Sequence, residues 1–385
     1  MNFTLTADQL HWQSVARSFA QDVVAPMARK MDEDGSMPDS IPKQLASLGL
    51  LRGAISKQYG GSAMDSISLA LVYEELGRAC SSVRGLMTVH SSLVMQCIAQ
   101  QGSDSQKTEL LPKLTSGEMI GCYALTEPEA GSDAASIQTT ATPVEGGYNL
   151  NGEKIWITNG GIAGLAIIFA RLPQQANEKP YQGVTAFLVD TKSEGFTRTR
   201  MPGKELGHRA SDHAHIILND CFVPASRVLG GERNGFKVAM SALDHGRLGV
   251  AAGALGVHQA CLDACVSFAR TRKQFGSRIG DFEMIQAVIA EMKTSLEASR
   301  LLVYHAAWKK DQNQPCTLET SMAKLHATEA AVKAANDAVL LHGGRGYSNE
   351  YPVERYLRDI KGLEIYEGTA HIQKIVIARQ VIGKP

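Results

Sequence analysis

Tyr123-Ala124-Leu125-Thr126-Glu127-Pro128-Glu129-Ala130-Gly131-Ser132-Asp133 and, further on, Gly152-Glu153-Lys154-Ile155-Trp156-Ile157-Thr158-Asn159-Gly160 belong to a tract that reads unlike the chain on either side of it. From about residue 120 to 229 the sequence breaks into short apolar segments divided by turn residues: Cys122 to Leu125, Tyr148 to Leu150, Ile155 to Thr158, Ala166 to Ala170, Val184 to Val189 and Ala214 to Leu218. Gly146-Gly147 and Asn159-Gly160-Gly161 suit hairpin or tight turns, since glycine and asparagine tolerate positive φ. Short strands at this spacing predict a small β-barrel or sandwich.

Both flanks are helical in pattern. Upstream, Thr6-x-x-Gln9 forms a capping box, apolar residues recur at three- and four-residue steps, and Gly60-Gly61 interrupts the run. Downstream, amphipathic helices are predicted at about 235–271, 281–311, 317–342, 352–361 and 369–381, which together make a bundle. The chain therefore divides into an α+β multidomain protein: a helical N-terminal domain (1–119), a middle β-barrel (120–230) and a C-terminal helical bundle (231–385). Ligands collect in clefts between such units. The polar loop Pro173 to Pro180 is the segment with least to order it.

Composition narrows the function classes. Of 385 residues, 44% are hydrophobic and 20% charged, enough to bury several cores. Lys plus Arg equals Asp plus Glu at 39 each, so no net field favours nucleic acid or an anionic membrane. The N-terminal residues show no basic segment followed by a long apolar one, and no uninterrupted apolar run reaches membrane-spanning length, so the expected location is the cytoplasm. Seven scattered cysteines without a Cys-x-x-Cys pair signal neither disulfide frame nor zinc, and no metal is expected. Cys261 and Cys265 share a helical face but read as core residues. There is no Gly-x-Gly-x-x-Gly after a strand, no P-loop, no Gly-x-Ser-x-Gly elbow and no His-Glu-x-x-His helix.

One carboxylate stands out. Glu364-Ile365-Tyr366-Glu367-Gly368-Thr369-Ala370 places Glu367 at a turn, behind an apolar approach and before a helix. Desolvation there makes a carboxylate a better base. The competing reading is a charge that complements a helix N-terminus.

The two opening stretches, with Asp244-His245-Gly246-Arg247, Arg272-Lys273-Gln274-Phe275-Gly276, His342-Gly343-Gly344-Arg345-Gly346-Tyr347 and Ile365-Tyr366-Glu367-Gly368-Thr369, resemble the acyl-CoA dehydrogenase family along the whole chain and in family order. The resemblance implies the same three-part architecture, with a C-terminal four-helix bundle, FAD at the junction, and a homotetramer or homodimer in which a neighbouring bundle completes the cofactor site. It implies that Glu367 removes the α-proton of an acyl thioester, a step of fatty acid metabolism, while its backbone N–H and the flavin polarise the thioester carbonyl. For the flavin it implies Thr126 and Thr158 on the ring and Trp156 over its face, with Tyr123, Leu125, Gly131, Ser132 and Ile157 in the same segments; plain barrel core is the other reading of Trp156. Arg272, Gln274 and Phe275 match the segment that reaches FAD in a neighbouring subunit, and Leu340, His342, Gly343, Gly344, Thr369 and Gln373 match further cofactor contacts. Ser132, Asp244, Arg247, Tyr366 and Gly368 match substrate contacts, although Asp244 and Arg247 also read as an i, i+3 surface pair.

The chain departs from the family at Leu340, where many members carry Gln; Arg345 either compensates or is solvent exposed. Cys80 to His90 and Gly207 to Ser211 resemble a branch that oxidises acyl or hydroxyacyl groups on an acyl carrier protein in polyketide extender-unit pathways. Arg84, on a helix expected to line the acyl pocket, answers a polar substrate in that case, and is a structural or exposed arginine otherwise. The thioester carrier is thus CoA or acyl carrier protein, and the resemblance points to an electron-transfer flavoprotein as acceptor, with oxygen the other route.

Overall fold

The computed structural model describes residues 4–383. Helix α1 (Ala7–Phe19) starts at the predicted box: Thr6 Oγ1 accepts from the Gln9 N–H at 3.3 Å and Gln9 Oε1 accepts from the Thr6 N–H at 3.0 Å. A π-helical turn, Ala20–Val24, joins it to α2 (Ala25–Asp34), and α3 (Ser40–Ser47), α4 (Ser66–Ala79) and α5 (Ser81–Thr88) follow. A second π-helical stretch, Val89–Met95, links α5 to α6 (Gln96–Gln101) and then α7 (Asp104–Thr115). Within it His90 splices this helical part to the sheet: Nδ1 accepts from the Gly121 N–H at 3.1 Å and Nε2 donates to the Leu114 carbonyl at 3.0 Å. Burial drives its pKa down to about 4, so the ring is neutral.

The middle part carries β1 (Gly121–Ala124), β2 (Thr140–Val144), β3 (Gly147–Thr158), β4 (Leu165–Arg171), β5 (Val184–Asp190), β6 (Phe196–Arg200), β7 (His213–Pro224) and β8 (Val228–Leu229). They form one eight-stranded sheet in the order β6-β7-β3-β2-β4-β5-β8, with β1 parallel to β4. One face of β4 and β5 (Ile167, Phe169, Ala186, Leu188) packs on helices, and the other (Ile168, Phe187, Val189) packs on Leu150, Ile157, Ile216 and Leu218 of β3 and β7. The sheet thus curls over itself around an apolar interior. Two predicted strands, 148–150 and 155–158, are one: β3 stays paired to β7 through two register shifts, which break the alternation that marks a strand in sequence. Strands β2, β6 and β8 escaped the reading because they are a mostly exposed Thr-Ala-Thr-Pro-Val, an alternating Phe-Thr-Arg-Thr-Arg and a pair of residues.

The last part contains α8 (Gly235–Thr271), a hairpin β9–β10 (Lys273–Gln274 and Ser277–Arg278), α9 (Glu283–Asp311), α10 (Thr317–His342), α11 (Val353–Ile365) and α12 (Ala370–Ile382). Charged and polar residues interrupt α8, yet by length and mean hydropathy it is apolar enough to cross a membrane; most of its apolar window is buried in the protein, because α4, α9 and α10 surround it. Its face toward the cleft is bare: added Cβ atoms at Gly246, Gly249, Gly253 and Gly256 would lie 1.8 Å from Glu367 Oε2, 2.7 Å from Thr88 Cγ2, 2.7 Å from Arg84 Nε and 2.1 Å from the Glu74 carbonyl oxygen. Mid-helix glycine costs about 0.5–1 kcal/mol against alanine, a cost set here against close approach of groups that reach the site.

Candidate active site

Between α11 and α12 the chain reverses over four residues. Tyr366 is extended, Glu367 and Gly368 take positive φ of 56° and 92°, and Thr369 caps α12 by accepting the Ile372 N–H at 3.3 Å. Gly368 is required, since a Cβ there would sit 2.7 Å from Gln373 Nε2 in a left-handed backbone. Gln373 holds the reversal from inside, its Nε2 donating to the Gly368 and Glu367 carbonyls at 2.9 and 3.3 Å. Buried Lys324 of α10 donates to the same Gly368 carbonyl and, at 3.4 Å, to that of Glu364.

This clamp fixes the Glu367 carboxylate. Although the residue is half-buried as a whole, its Oε2 is enclosed and accepts no hydrogen bond among the described residues. Burial raises its pKa to about 7, against the pull of Arg84, Lys324 and Arg247. The helix-terminus alternative falls away, because Thr369 does the capping and the carboxylate accepts no backbone N–H. A carboxyl poised near neutrality suits proton removal from carbon. The Glu367 N–H also donates to no acceptor among the described residues, so it is free for a carbonyl oxygen.

Around it stand the polar groups of α8, α10 and α5. Arg247 Nη1 donates to Asp244 Oδ1 at 2.9 Å, and Thr317 Oγ1 donates to Asp244 Oδ2 at 2.7 Å. The Arg247 side chain is 7% exposed with an unpartnered Nε, so this is no solvated surface pair. Tyr366 accepts a hydrogen bond from Arg84, and His208 stands edge-on to its ring at 5.6 Å. The His208 backbone N–H donates to Asp359 Oδ1 at 2.7 Å, tying the barrel's 201–212 loop to α11.

On the barrel side Trp156 lies at the second register shift of β3 with φ 59°, and the bulge aims its indole outward, 52% exposed. It is therefore not barrel core. Thr126 and Thr158 are half-buried and their hydroxyls bond to nothing among the described residues. An uncovered indole beside two free hydroxyls fits a flavin ring. Tyr123, Leu125 and Ile157 are buried beneath this surface, whereas Gly131 and Ser132 are exposed at its rim. Two positioning features were missed in sequence. Lys154 and Glu127 form a buried pair at 2.6 Å; the Lys154 ammonium also donates to the Leu125 carbonyl at 3.2 Å, fastening the Thr126 loop to β3. Asn159 Nδ2 donates to the Leu86 carbonyl at 3.1 Å, fastening the strand's end to α5. Polar or charged neighbours flank both residues (Glu153 beside Lys154, Thr126 and Glu129 near Glu127), so the sequence alone does not mark either as buried.

The remaining candidates lie elsewhere. Arg272 caps α8, Gln274 sits in the hairpin and Phe275 at its tip is 96% exposed. From Arg247 to Arg272 along α8 is about 37 Å at 1.5 Å per residue, so these side chains do not meet Glu367 within one chain. At the same end His342 stacks on Phe268 at 4.3 Å and donates through Nδ1 to the Ala338 carbonyl at 2.8 Å, a packed position. Gly343 and Gly344 are exposed with open space around them, and Leu340 is 70% exposed. Arg345 is exposed and reaches Tyr351 at 3.4 Å. Arg272 carries a planar fork of the kind that suits a diphosphate.

Family models for the acyl-CoA dehydrogenase N-terminal, middle and C-terminal domains match residues 6–118, 122–221 and 233–382. The short-chain-specific acyl-CoA dehydrogenase of Clostridium acetobutylicum is 38% identical over 381 residues, 99% of this chain and 100% of that one. Among solved structures, butyryl-CoA dehydrogenase of Megasphaera elsdenii aligns with a TM-score of 0.96 at 38% identity over 99% of this chain and 100% of that one. A chain from a structure of the electron transferring flavoprotein of Acidaminococcus fermentans aligns at 0.96 and 36% over 100% of both. The prolyl acyl carrier protein oxidase AnaB aligns at 0.92 and 31% over 99% of this chain and 100% of that one.

Proposed function

Since the chain belongs to the acyl-CoA dehydrogenase family of FAD-dependent oxidoreductases, we propose that it desaturates a short or branched acyl-CoA thioester between its α and β carbons, with Glu367 as the base. The observation that carries this is the enclosed, unpaired Glu367 carboxylate held near neutrality opposite a bare stretch of α8. Bound FAD, held by Thr126, Trp156 and Thr158, supplies the acceptor for the β-hydrogen, which leaves with its electron pair.

The residues of this chain do the rest. Glu367 takes the α-proton as the α C–H bond breaks, and that electron pair becomes the carbon–carbon double bond of a 2,3-enoyl thioester. The charge that develops on the thioester oxygen is met by the free Glu367 N–H. Asp244 and Arg247, locked together, orient the thioester's carrier arm from α8, with Ser132 at the barrel rim and Tyr366 and Gly368 beside the acyl group. Enclosure of the carboxylate excludes water from the proton transfer.

Similarity to the short-chain and butyryl enzymes supports a short acyl chain, and the electron transferring flavoprotein match supports such a protein as acceptor. The distance of Arg272, Gln274 and Phe275 from the same chain's Glu367 supports a homotetramer or homodimer in which these residues, with Gly343 and Gly344, complete a neighbour's FAD site. A cytoplasmic location and a role in fatty acid metabolism complete the reading. The likeness to AnaB supports a second reading, an acyl or hydroxyacyl group on an acyl carrier protein. Anaerobic titration of the flavoprotein with butyryl-CoA, a branched acyl-CoA and an acylated carrier protein separates them: flavin bleaching by a CoA thioester upholds the first, bleaching by the carrier thioester alone the second, and bleaching by none rejects both.

A further inference from the structure

The loop of residues 201–212, between β6 and β7, touches both halves of the site. At its start Met201 Sδ accepts the Trp156 N–H at 3.4 Å, at the bulge whose left-handed backbone turns the indole outward. Further on, the buried His208 ring stands edge-on to Tyr366 at 5.6 Å and 75°. Between these contacts the loop lies flat on α11: a Cβ at Gly207 would sit 2.3 Å from the Arg358 carbonyl oxygen, and Arg358 Nη1 donates to the Leu206 carbonyl at 3.2 Å. His208 takes a positive φ of 53°, which a residue with a Cβ keeps only where its surroundings over-determine it. Here they do. Its N–H donates to the buried Asp359 carboxylate at 2.7 Å, and its Nε2–H donates to the Asp359 carbonyl at 3.0 Å. Burial holds the imidazole pKa well below its ordinary value, so the ring is neutral.

The two rings meet over a glycine. A Cβ at Gly362 of α11 would lie 2.8 Å from His208 Cδ2 and 3.3 Å from Tyr366 Cε1, so imidazole and phenol both press on the one helix position that has no side chain. Arg84 holds the same phenol by its hydroxyl, and His208 holds it by the ring. Tyr366 immediately precedes Glu367 at the chain reversal, so a shift of Tyr366 swings the carboxylate. Resting on the reading of Glu367 as base, we propose that His208 is a positioning residue for proton removal. Its imidazole wedges Tyr366 from the barrel side and thereby fixes the Glu367 carboxylate, while the 201–212 loop ties the wedge to the bulge that carries Trp156 over the flavin. Histidine suits the task because one ring combines an aromatic edge with a donor at its tip, and the donor, committed to a helix carbonyl, sets the angle of the edge.

The test is single-turnover bleaching of the holoenzyme by saturating butyryl-CoA, with bound FAD, substrate Kd and melting temperature measured alongside. His208→Gln keeps a donor for the Asp359 carbonyl and loses the ring edge. It should bleach about tenfold or more slowly with FAD content and Kd within about twofold of native, since a 1 Å shift of the carboxylate costs on the order of a hundredfold. His208→Phe keeps the edge and should restore the rate to within about threefold of native. The deciding arm is the Glu367→Gln background, where placement of the carboxylate no longer matters: there His208→Gln should change the residual rate by less than about twofold. Equal losses in both backgrounds overturn the inference, as does a His208→Phe enzyme no faster than His208→Gln. If His208→Gln loses FAD, Gly362→Ala disturbs the same contact from α11, and its losses in the two backgrounds decide in the same way. A Glu367→Gln enzyme that bleaches at the native rate rejects the base and this inference with it; a slow Glu367→Gln beside a native His208→Gln rejects the positioning role alone.

Discussion

Gly246→Ala tests the site through a single methyl group. That methyl would lie 1.8 Å from Glu367 Oε2, 2.6 Å from Cδ and 2.9 Å from Leu93 Cδ2. Ordinary contact begins near 3.4 Å, so, as 3.4 less 1.8, the carboxylate must retreat by about 1.6 Å, and a misplacement of 1 Å already costs on the order of a hundredfold in rate. That is about 2.7 kcal/mol of barrier. The assay is single-turnover flavin bleaching by saturating acyl-CoA in a stopped-flow instrument, with bound FAD and melting temperature measured alongside. Glu367→Asp supplies the second arm of a cycle, since losing one methylene draws the carboxylate back from α8. Asp should slow the native enzyme yet cost much less, or help, in the Gly246→Ala background, because the two residues share one contact. Bleaching of Gly246→Ala within about threefold of native, or losses that simply multiply, would refute the reasoning.

Three further outcomes follow from the charges. Because Glu367 must be ionised to take a proton and its pKa is about 7, the rate of bleaching should rise through roughly pH 7 and level off; Lys324→Met removes a cation that favours the ionised form, so stopped-flow profiles should show the midpoint move upward. The folded carboxyl binds its proton more tightly than the unfolded one, at about 7 against 4.5, so native stability should fall as pH rises between those values, by up to about 3 kcal/mol above pH 7. Glu367→Gln cannot ionise and should melt increasingly above the native protein from pH 5 to pH 8; a difference independent of pH contradicts the burial. Lys154→Met strands Glu127 beneath the flavin-facing loop and should cost about 3–5 kcal/mol in denaturant unfolding, with loss of FAD, while Lys154→Met with Glu127→Leu should recover much of it.

The fold was largely legible because each part follows one period. Helices α8 and α10 end where their apolar repeat ends, at Thr271 and His342. Helix α11 runs to Ile365, beyond the predicted 361, because Leu363 is buried and continues the core face past the last repeat visible in sequence. The sheet was half legible: β3 hid because bulges shift its alternation, and one of those bulges is what turns Trp156 outward. Glu367 was legible by its turn, but its pairing with Gly246 was not, since 121 positions separate residues that only the packing of α8 brings together. Lys154–Glu127 was opaque for a related reason, and for Arg84 the sequence left open whether it meets a ligand or is structural. A charged residue reads the same in sequence whether its partner is a carboxylate, a hydroxyl or a ligand.

The central claim is that the Glu367 carboxylate takes the α-proton. Anaerobic bleaching of bound FAD by a short acyl-CoA, measured side by side for the native protein and Glu367→Gln at pH 8, tests it most directly. The account expects the variant to keep its FAD and to bleach about a hundredfold or more slowly. Bleaching at a comparable rate would contradict it and place the base on another residue.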